Sequence, residues 1–428
     1  MHRLPAALVS LVTLAATALG ATALTAPAAS AAPKTRPAVT EGKVIPPQMF
    51  GMHVFNAQDG VWPTIPIGSL RLWDNATTWN TIETADNTFN WRTLDTAIAT
   101  AEKQGVRDIL MVLAGTPSWA TDDPDSGGQA GVLPGGAGMP RDLASWDDWV
   151  TQVVTRYKGR ITSYQPWNEA NLPTFSTGSP AEMAELTKRT FDIVKRIDPK
   201  ATVVAPSTGT RLSGAFRKFY PRFLEELGAR GWPVDVWAVH TYPASLGTPV
   251  DRANLAREYI AVLDAAGAPK KPIWDTENNF GLKGPGPANP DVDIEGPRAG
   301  QWLARAYLDG LRLGIDRTYW YAWAPPGDLL GIQMFKGTVA ATAYATMEKW
   351  LVGATFRGCT SSRVRVTCDF TRDGAPFRVV YTETGQSRRF PAKAGVDSLC
   401  SLDGKCRPVK KKSVKAGGPV YLGPALTG

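Results

Sequence analysis

The chain has 428 residues, 43% hydrophobic and 20% charged, with a formal net charge of +8. That balance excludes a disordered or fibrous protein, and the length exceeds the roughly 250 residues of one (β/α)8 barrel, so a second, smaller unit is expected. The positive balance alone does not make it a nucleic-acid binder, because no binding motif accompanies it.

Taken in chain order, residues 1–31 read as a secretory signal peptide. His2 and Arg3 lead into the apolar run Leu4 to Leu24, which ends in the small-residue triplet Ala29, Ser30, Ala31. No later stretch is long and apolar enough to span a bilayer, so the mature protein is expected to be secreted. A Pro-rich leader, residues 32–46, follows.

From residue 47 to 352, short apolar runs alternate with amphipathic stretches, the βαβα pattern of a parallel sheet. The expected strands are Phe50 to Phe55, Ser69 to Trp73, Asp108 to Leu113, Ile161 to Trp167, Thr202 to Pro206, Val234 to His240, Ile273 to Glu277 and Thr318 to Trp323. Eight strands can close a barrel. No Gly-rich phosphate loop argues for the open, doubly wound alternative.

Helix signals lie between them. Asn90 can cap a helix with Leu94, Ala97, Ile98 and Ala101 at helical spacing, stopped by Gly105. Ser179, Pro180 and Glu182 form a capping box with proline at the first helical position. Helices are also expected over Ala184 to Ile197, Gln301 to Leu313 and Val339 to Leu351.

From residue 353 to 428 the texture becomes alternating, with hairpin signals at Asp373-Gly374 and Thr384-Gly385 and a closing strand at Pro419 to Leu422. This predicts a small, sandwich-like all-β domain. It holds all four cysteines, Cys359, Cys368, Cys400 and Cys406. In an exported chain, two short-loop disulfides, 359 to 368 and 400 to 406, are the economical pairing among three connectivities. Lys405, Arg407, Lys410, Lys411, Lys412 and Lys415 form a basic stretch, either a solvated edge or a contact for an anionic wall polymer.

In a (β/α)8 barrel, reactive groups sit at the C-terminal ends of strands. Glu169 closes the fourth strand within Gln165-Pro-Trp-Asn-Glu-Ala-Asn171, and Glu277 closes the seventh within Trp274-Asp-Thr-Glu-Asn278. Two carboxyls are what cleavage of an acetal needs: one to protonate the leaving oxygen, the other to attack the anomeric carbon or activate water.

With this pair, the Trp-Asn-Glu motif and an Arg on strand two, residues 45–352 resemble the retaining (β/α)8 glycoside hydrolases, nearest family 39 with family 5 as a neighbour. The resemblance implies Glu169 as acid/base and Glu277 as nucleophile. It also implies that Asn168 binds the sugar 2-hydroxyl, that Arg71 and Tyr242 hold Glu277, and that Trp323 is a stacking floor. His240 can be a sugar contact or a supporting group, and His53 can bind sugar or merely pack. Trp119, Trp167 and Trp323 adjoin strand ends and are the tryptophans best placed to stack on sugar.

No cofactor or metal is implied, since the chain has three His, one of them in the signal peptide, and no ligand spacing. A monomer acting on a poly- or oligosaccharide is the expected form. The competing expectation is a carbohydrate-binding or wall-associated protein that keeps the barrel without turnover. The long loops Thr121 to Arg141 and Gly281 to Pro297 are expected to rise around the cleft. Sugar identity, linkage and endo or exo action are not legible.

Overall fold

The computed structural model describes residues 42–73, 75–128, 132–284, 286–327, 329–392 and 395–426. The expected signal peptide and most of the leader lie outside the described residues.

Eight parallel strands form the inner sheet: β1 (Phe50–Val54), β2 (Ser69–Leu72), β3 (Ile109–Val112), β4 (Ser163–Gln165), β5 (Thr202–Val203), β6 (Trp237–His240), β7 (Ile273–Asn278) and β8 (Arg317–Trp323). Their order is β5-β4-β3-β2-β1-β8-β7-β6. Parallel bridges Val204 to Val236 and Gly209 to His240 join the two outer strands and close the barrel. Strands covered on both faces are mostly apolar, and β1, β2, β3 and β6 are buried at every position, with His53, Ser69, Arg71 and His240 as their polar members. Inside, Leu110, Val204, Val236, Ala238, Trp274 and Tyr319 fill the space. A Cβ on Gly51 would come within 2.5 Å of the Tyr319 ring, so glycine is what admits that ring.

The outer ring comprises α1 (Arg92–Lys103), α2 (Leu143–Arg156), α3 (Pro180–Ile197), α4 (Ser213–Ala229), α5 (Pro249–Ala265), α6 (Gly296–Leu313) and α7 (Val339–Leu351). The α3 capping box forms as its residues predict: Ser179 Oγ accepts from the Glu182 amide, and the Glu182 carboxylate accepts from the Ser179 amide. Gly105 takes φ +82° just after α1, which ends that helix. The first connection departs from the ideal pattern, since between β1 and β2 there is only the 3-10 turn Ala57–Asp59.

The C-terminal strands are β9 (Thr355–Ser362), β10 (Arg365–Arg372), β11 (Ala375–Thr382), β12 (Arg388–Pro391), β13 (Ser398–Cys400), β14 (Cys406–Pro408), β15 (Ser413–Ala416) and β16 (Val420–Gly423). A six-stranded antiparallel sheet runs β9-β10-β11-β16-β13-β14, and β12 pairs separately with β15. One face, with Phe356, Phe370, Phe377, Tyr381 and Tyr421, joins the main core; the other, with Val380, Leu399 and Leu422, packs on Phe390 and Ala416 of the small sheet.

Both short-loop disulfides form, at S–S distances of 2.06 and 2.01 Å. Asp373-Gly374 turns β10 into β11 as expected, but Thr384-Gly385 does not join paired strands. β11 pairs instead with β16, from the end of the chain. A dipeptide signals a turn but not which strand returns.

Residues 42–45 depart from a free leader: Gly42 and Ile45 amides donate to Phe356 and Ala354 carbonyls at 2.8 Å, so the entry to the barrel is paired to the C-terminal sheet. Among the described residues, no helix is long and apolar enough to cross a membrane.

Candidate active site

Strand alternation explains part of the site, and its interruptions explain the rest. Trp274 points into the barrel. Glu277, an odd number of residues later, would point outward on an unbroken strand. On β7, however, Asp275 pairs with Val239 and Thr318, while Glu277 pairs with the very next residue of β6, His240, and Asn278 with Trp320. One extra residue on β7, a bulge at Thr276, returns Glu277 to the mouth. Asp275 stays outward, where Arg252 Nη2 at 2.6 Å and the Thr241 hydroxyl at 2.5 Å hold it.

Glu169 is presented by a different device. Past β4 the chain enters the left-handed region at Glu169, φ +40°, which a residue with a Cβ adopts only under constraint. Its amide donates to Ser207 Oγ at 2.9 Å, and the Ala170 amide donates to the Ser207 carbonyl at 3.0 Å. A Cβ on Gly209 would lie 2.6 Å from Glu169 Oε1, so that glycine leaves the room the carboxyl occupies.

Arg71, fully buried on β2, organises the floor. Its Nη1 donates to Glu277 Oε1 at 2.6 Å and to His53 Nε2 at 2.9 Å, and its Nη2 donates to Asn168 Oδ1 at 2.8 Å. Nε and Nη2 both donate to Gln165 Oε1, at 3.1 and 2.9 Å. A planar guanidinium with donors in a fixed fork suits this many partners. The Tyr242 hydroxyl donates to Glu277 Oε2 at 3.1 Å. Burial and the Glu277 charge push that phenol well above its ordinary pKa, so it stays a neutral donor.

His240 stands between the two acids. Its Nδ1 lies 3.1 Å from Glu169 Oε1 and 3.5 Å from Glu277 Oε2, and its Nε2 lies 3.0 Å from Thr276 Oγ1. Burial lowers its pKa to about 3, so the imidazole is neutral at working pH. Burial, reinforced by the Arg71 charge, likewise holds His53 well below the usual range, so its ring is neutral beside the Arg71 guanidinium and the Thr276 carbonyl. Glu169 is raised to about 7, chiefly by burial; Arg211 and then Arg71 pull the other way.

The two acids open into one cavity of about 430 Å³, within the range of small-molecule sites. Asn168, His240 and Tyr242 line it as well, together with Trp73, Phe175, Arg211 and Tyr321. Arg71 and His53 lie beneath its floor. Trp323 does not line it. The β1–β8 register carries an extra residue on β8 before Trp323, which turns that ring into the main core and leaves Tyr321 on the cavity side. Trp119 packs edge-on against Trp79 with its indole N–H on the Glu83 carbonyl, and Trp167 is fully buried with its N–H on the Phe175 carbonyl. Neither faces the cavity. Of the two long loops, 281–297 alone contributes to the lining among the described residues, through Leu282, Lys283 and Gly284.

Gln165, Ser207, Gly209, Arg211, Thr276 and Tyr321 complete the site without having been singled out in the sequence. Gln165 and Thr276 had a signal, standing in the same strand-end motifs as Glu169 and Glu277.

Residues 138–293 match the family described as glycosyl hydrolase catalytic core. No curated protein sequence matches the chain. Among solved structures, a family 39 glycoside hydrolase from Bacteroides cellulosilyticus WH2 aligns with a TM-score of 0.64 at 17% identity, over 90% of this chain and 83% of that one. A family 39 β-xylosidase from Caulobacter crescentus gives 0.61 at 16% identity over 90% and 98%. A family 30 endoxylanase from Clostridium papyrosolvens C71 gives 0.55 at 13% identity over 90% and 99%. The chain is a (β/α)8 barrel of glycosidase type, similar in fold to family 39 and family 30 enzymes, with the match to the glycosyl hydrolase catalytic core across its middle.

Proposed function

We propose that the protein is a secreted, retaining glycoside hydrolase that cleaves O-glycosidic bonds of a poly- or oligosaccharide by double displacement. The observation that carries this is the opposite surroundings of two carboxyls on one cavity. Glu277 has a guanidinium at 2.6 Å and a phenol at 3.1 Å. Glu169 sits in burial that raises it to about 7, with no ion pair to Arg or Lys within reach among the described residues.

In the first step, a Glu277 oxygen attacks the anomeric carbon as the bond to the leaving oxygen breaks, and Glu169 gives its proton to that oxygen. In the second, Glu169, now a carboxylate, takes a proton from water, which attacks the same carbon and releases Glu277. Arg71 and Tyr242 hold the nucleophile in place, and Asn168 is positioned by Arg71 for a sugar hydroxyl. Both carboxyls contact one ring nitrogen, His240 Nδ1, at 3.1 and 3.5 Å, which keeps the pair together on the cavity.

The test is a panel of aryl glycosides and polysaccharides, with the first-formed product anomer read by proton NMR. Release of sugar in the substrate's own configuration is expected. Release in the opposite configuration would overturn retention, and no release by wild type from any member would overturn the hydrolase itself.

A further inference from the structure

The charge of this chain is not spread over it. Residues 385–428 hold nine Lys and Arg against two Asp, seven of the eight net positive charges of the whole protein. Eight of those cations are described, and all eight are exposed: Arg388, Arg389, Lys405, Arg407, Lys410, Lys411, Lys412 and Lys415.

The fold gathers them. Phe390, Val414 and Ala416 turn their side chains onto Val380, Leu399 and Leu422, so alternation sends Arg389 and Pro391 of β12 and Ser413 and Lys415 of β15 outward. Arg389 therefore stands directly across from Lys415, a like-charge pair that costs stability unless an anion lies over it. The Ala392 amide donates to the Lys412 carbonyl at 2.9 Å, which ties the Lys410 to Lys412 run beside β12. The Cys400 to Cys406 disulfide staples the neighbouring β13–β14 hairpin that bears Lys405 and Arg407. Among the described residues, the single ion pair of this cluster is Lys405 to Asp403, at 3.2 Å.

We propose that this face is a binding site for an acidic polysaccharide, a sugar chain carrying carboxylates along its length, and that it holds the barrel on that polymer. A basic surface of eight exposed cations carried by two neighbouring strand pairs fits a repeating charge better than one clamped group. Five of its eight cations are lysines, which act as point charges rather than forks. It offers no exposed aromatic residue on which bases could stack and no exposed large apolar residue to enter a bilayer. A glycan is also the ligand class the cavity is proposed to take. The site does not depend on turnover, so failure of hydrolysis would leave it standing.

The test uses full-length protein carrying Glu277→Gln, titrated at low salt with polygalacturonate and with the same polymer after carboxyl reduction to neutral sugars. Binding of the acidic form alone is expected, weakening steeply with added salt. Lys410→Gln, Lys411→Gln, Lys412→Gln and Lys415→Gln together should weaken it by about tenfold or more, while Arg at the same four positions preserves it. The control removes the same charge from the barrel, through Lys103→Gln, Lys158→Gln, Lys200→Gln and Lys270→Gln, and should change binding by less than about threefold. Equal loss in both quadruple variants, equal binding of the reduced polymer, or binding of duplex DNA or anionic vesicles but not polygalacturonate would each overturn the proposal. Melting temperatures establish that each variant is folded.

Discussion

The ends of β4 and β7 deliver the same residue type to the same cavity by opposite means. At β7 a bulge turns Glu277 inward, against a buried guanidinium and a phenol. At β4 a left-handed residue projects Glu169 against a glycine, with burial and a neutral imidazole around it. On the proposed reading, a barrel mouth assigns chemical roles through what each strand end packs against, and the predictions test that division.

The largest effect should come from Glu277→Ala. Loss of the nucleophile is expected to lower kcat on every substrate by on the order of 10⁴-fold or more. Near-normal turnover would end the division of roles.

Glu169→Ala should be selective. Aryl glycosides with good leaving groups need little protonation, so their first step should survive while breakdown of the intermediate slows. Substrates with poor leaving groups should lose about 10²- to 10⁴-fold in kcat/KM. A uniform loss across leaving groups would contradict the acid/base role.

Gly209→Ala should act on Glu169 alone. The added methyl would meet the movable tip of that side chain, so the carboxyl should be displaced and the fold kept. A fall in kcat of about 10- to 100-fold with a stability change below about 1 kcal/mol is expected, read by kinetics and denaturant unfolding. Equal damage to stability would show that the glycine serves the backbone instead.

Arg211→Gln should give the smallest effect and sharpen the electrostatics. Glu169 must be protonated for the first step, so kcat/KM should fall as pH rises through about 7. The Arg211 charge favours the ionised form, so its removal should move that alkaline limb upward. A downward move would mean that Arg211 acts otherwise than through its charge.

The barrel was legible because fully buried parallel strands write themselves as short apolar runs, and helix starts such as Ser179-Pro180-Glu182 carry local chemistry. The two acids were legible because strand ends are where such barrels hold reactive groups. The inward turn of Glu277 was not, since a bulge leaves no residue signature, and the same limit hid the exchange of Trp323 for Tyr321 on β8. Gly209 and Arg211 come from another strand end, so only tertiary packing brings them to Glu169. The missing helix after β1 and the return of β16 beside β11 are likewise matters of long-range pairing.

Azide rescue tests the division of roles most directly. Azide needs no general base, so with Glu169→Ala it should restore turnover of an activated aryl glycoside and yield a glycosyl azide of the substrate's own anomeric configuration. With Glu277→Ala it should enter from the vacated face and yield the opposite anomer. The reverse pattern, an inverted azide from the Glu169 variant and a retained one from the Glu277 variant, would contradict the assignment of nucleophile and acid/base.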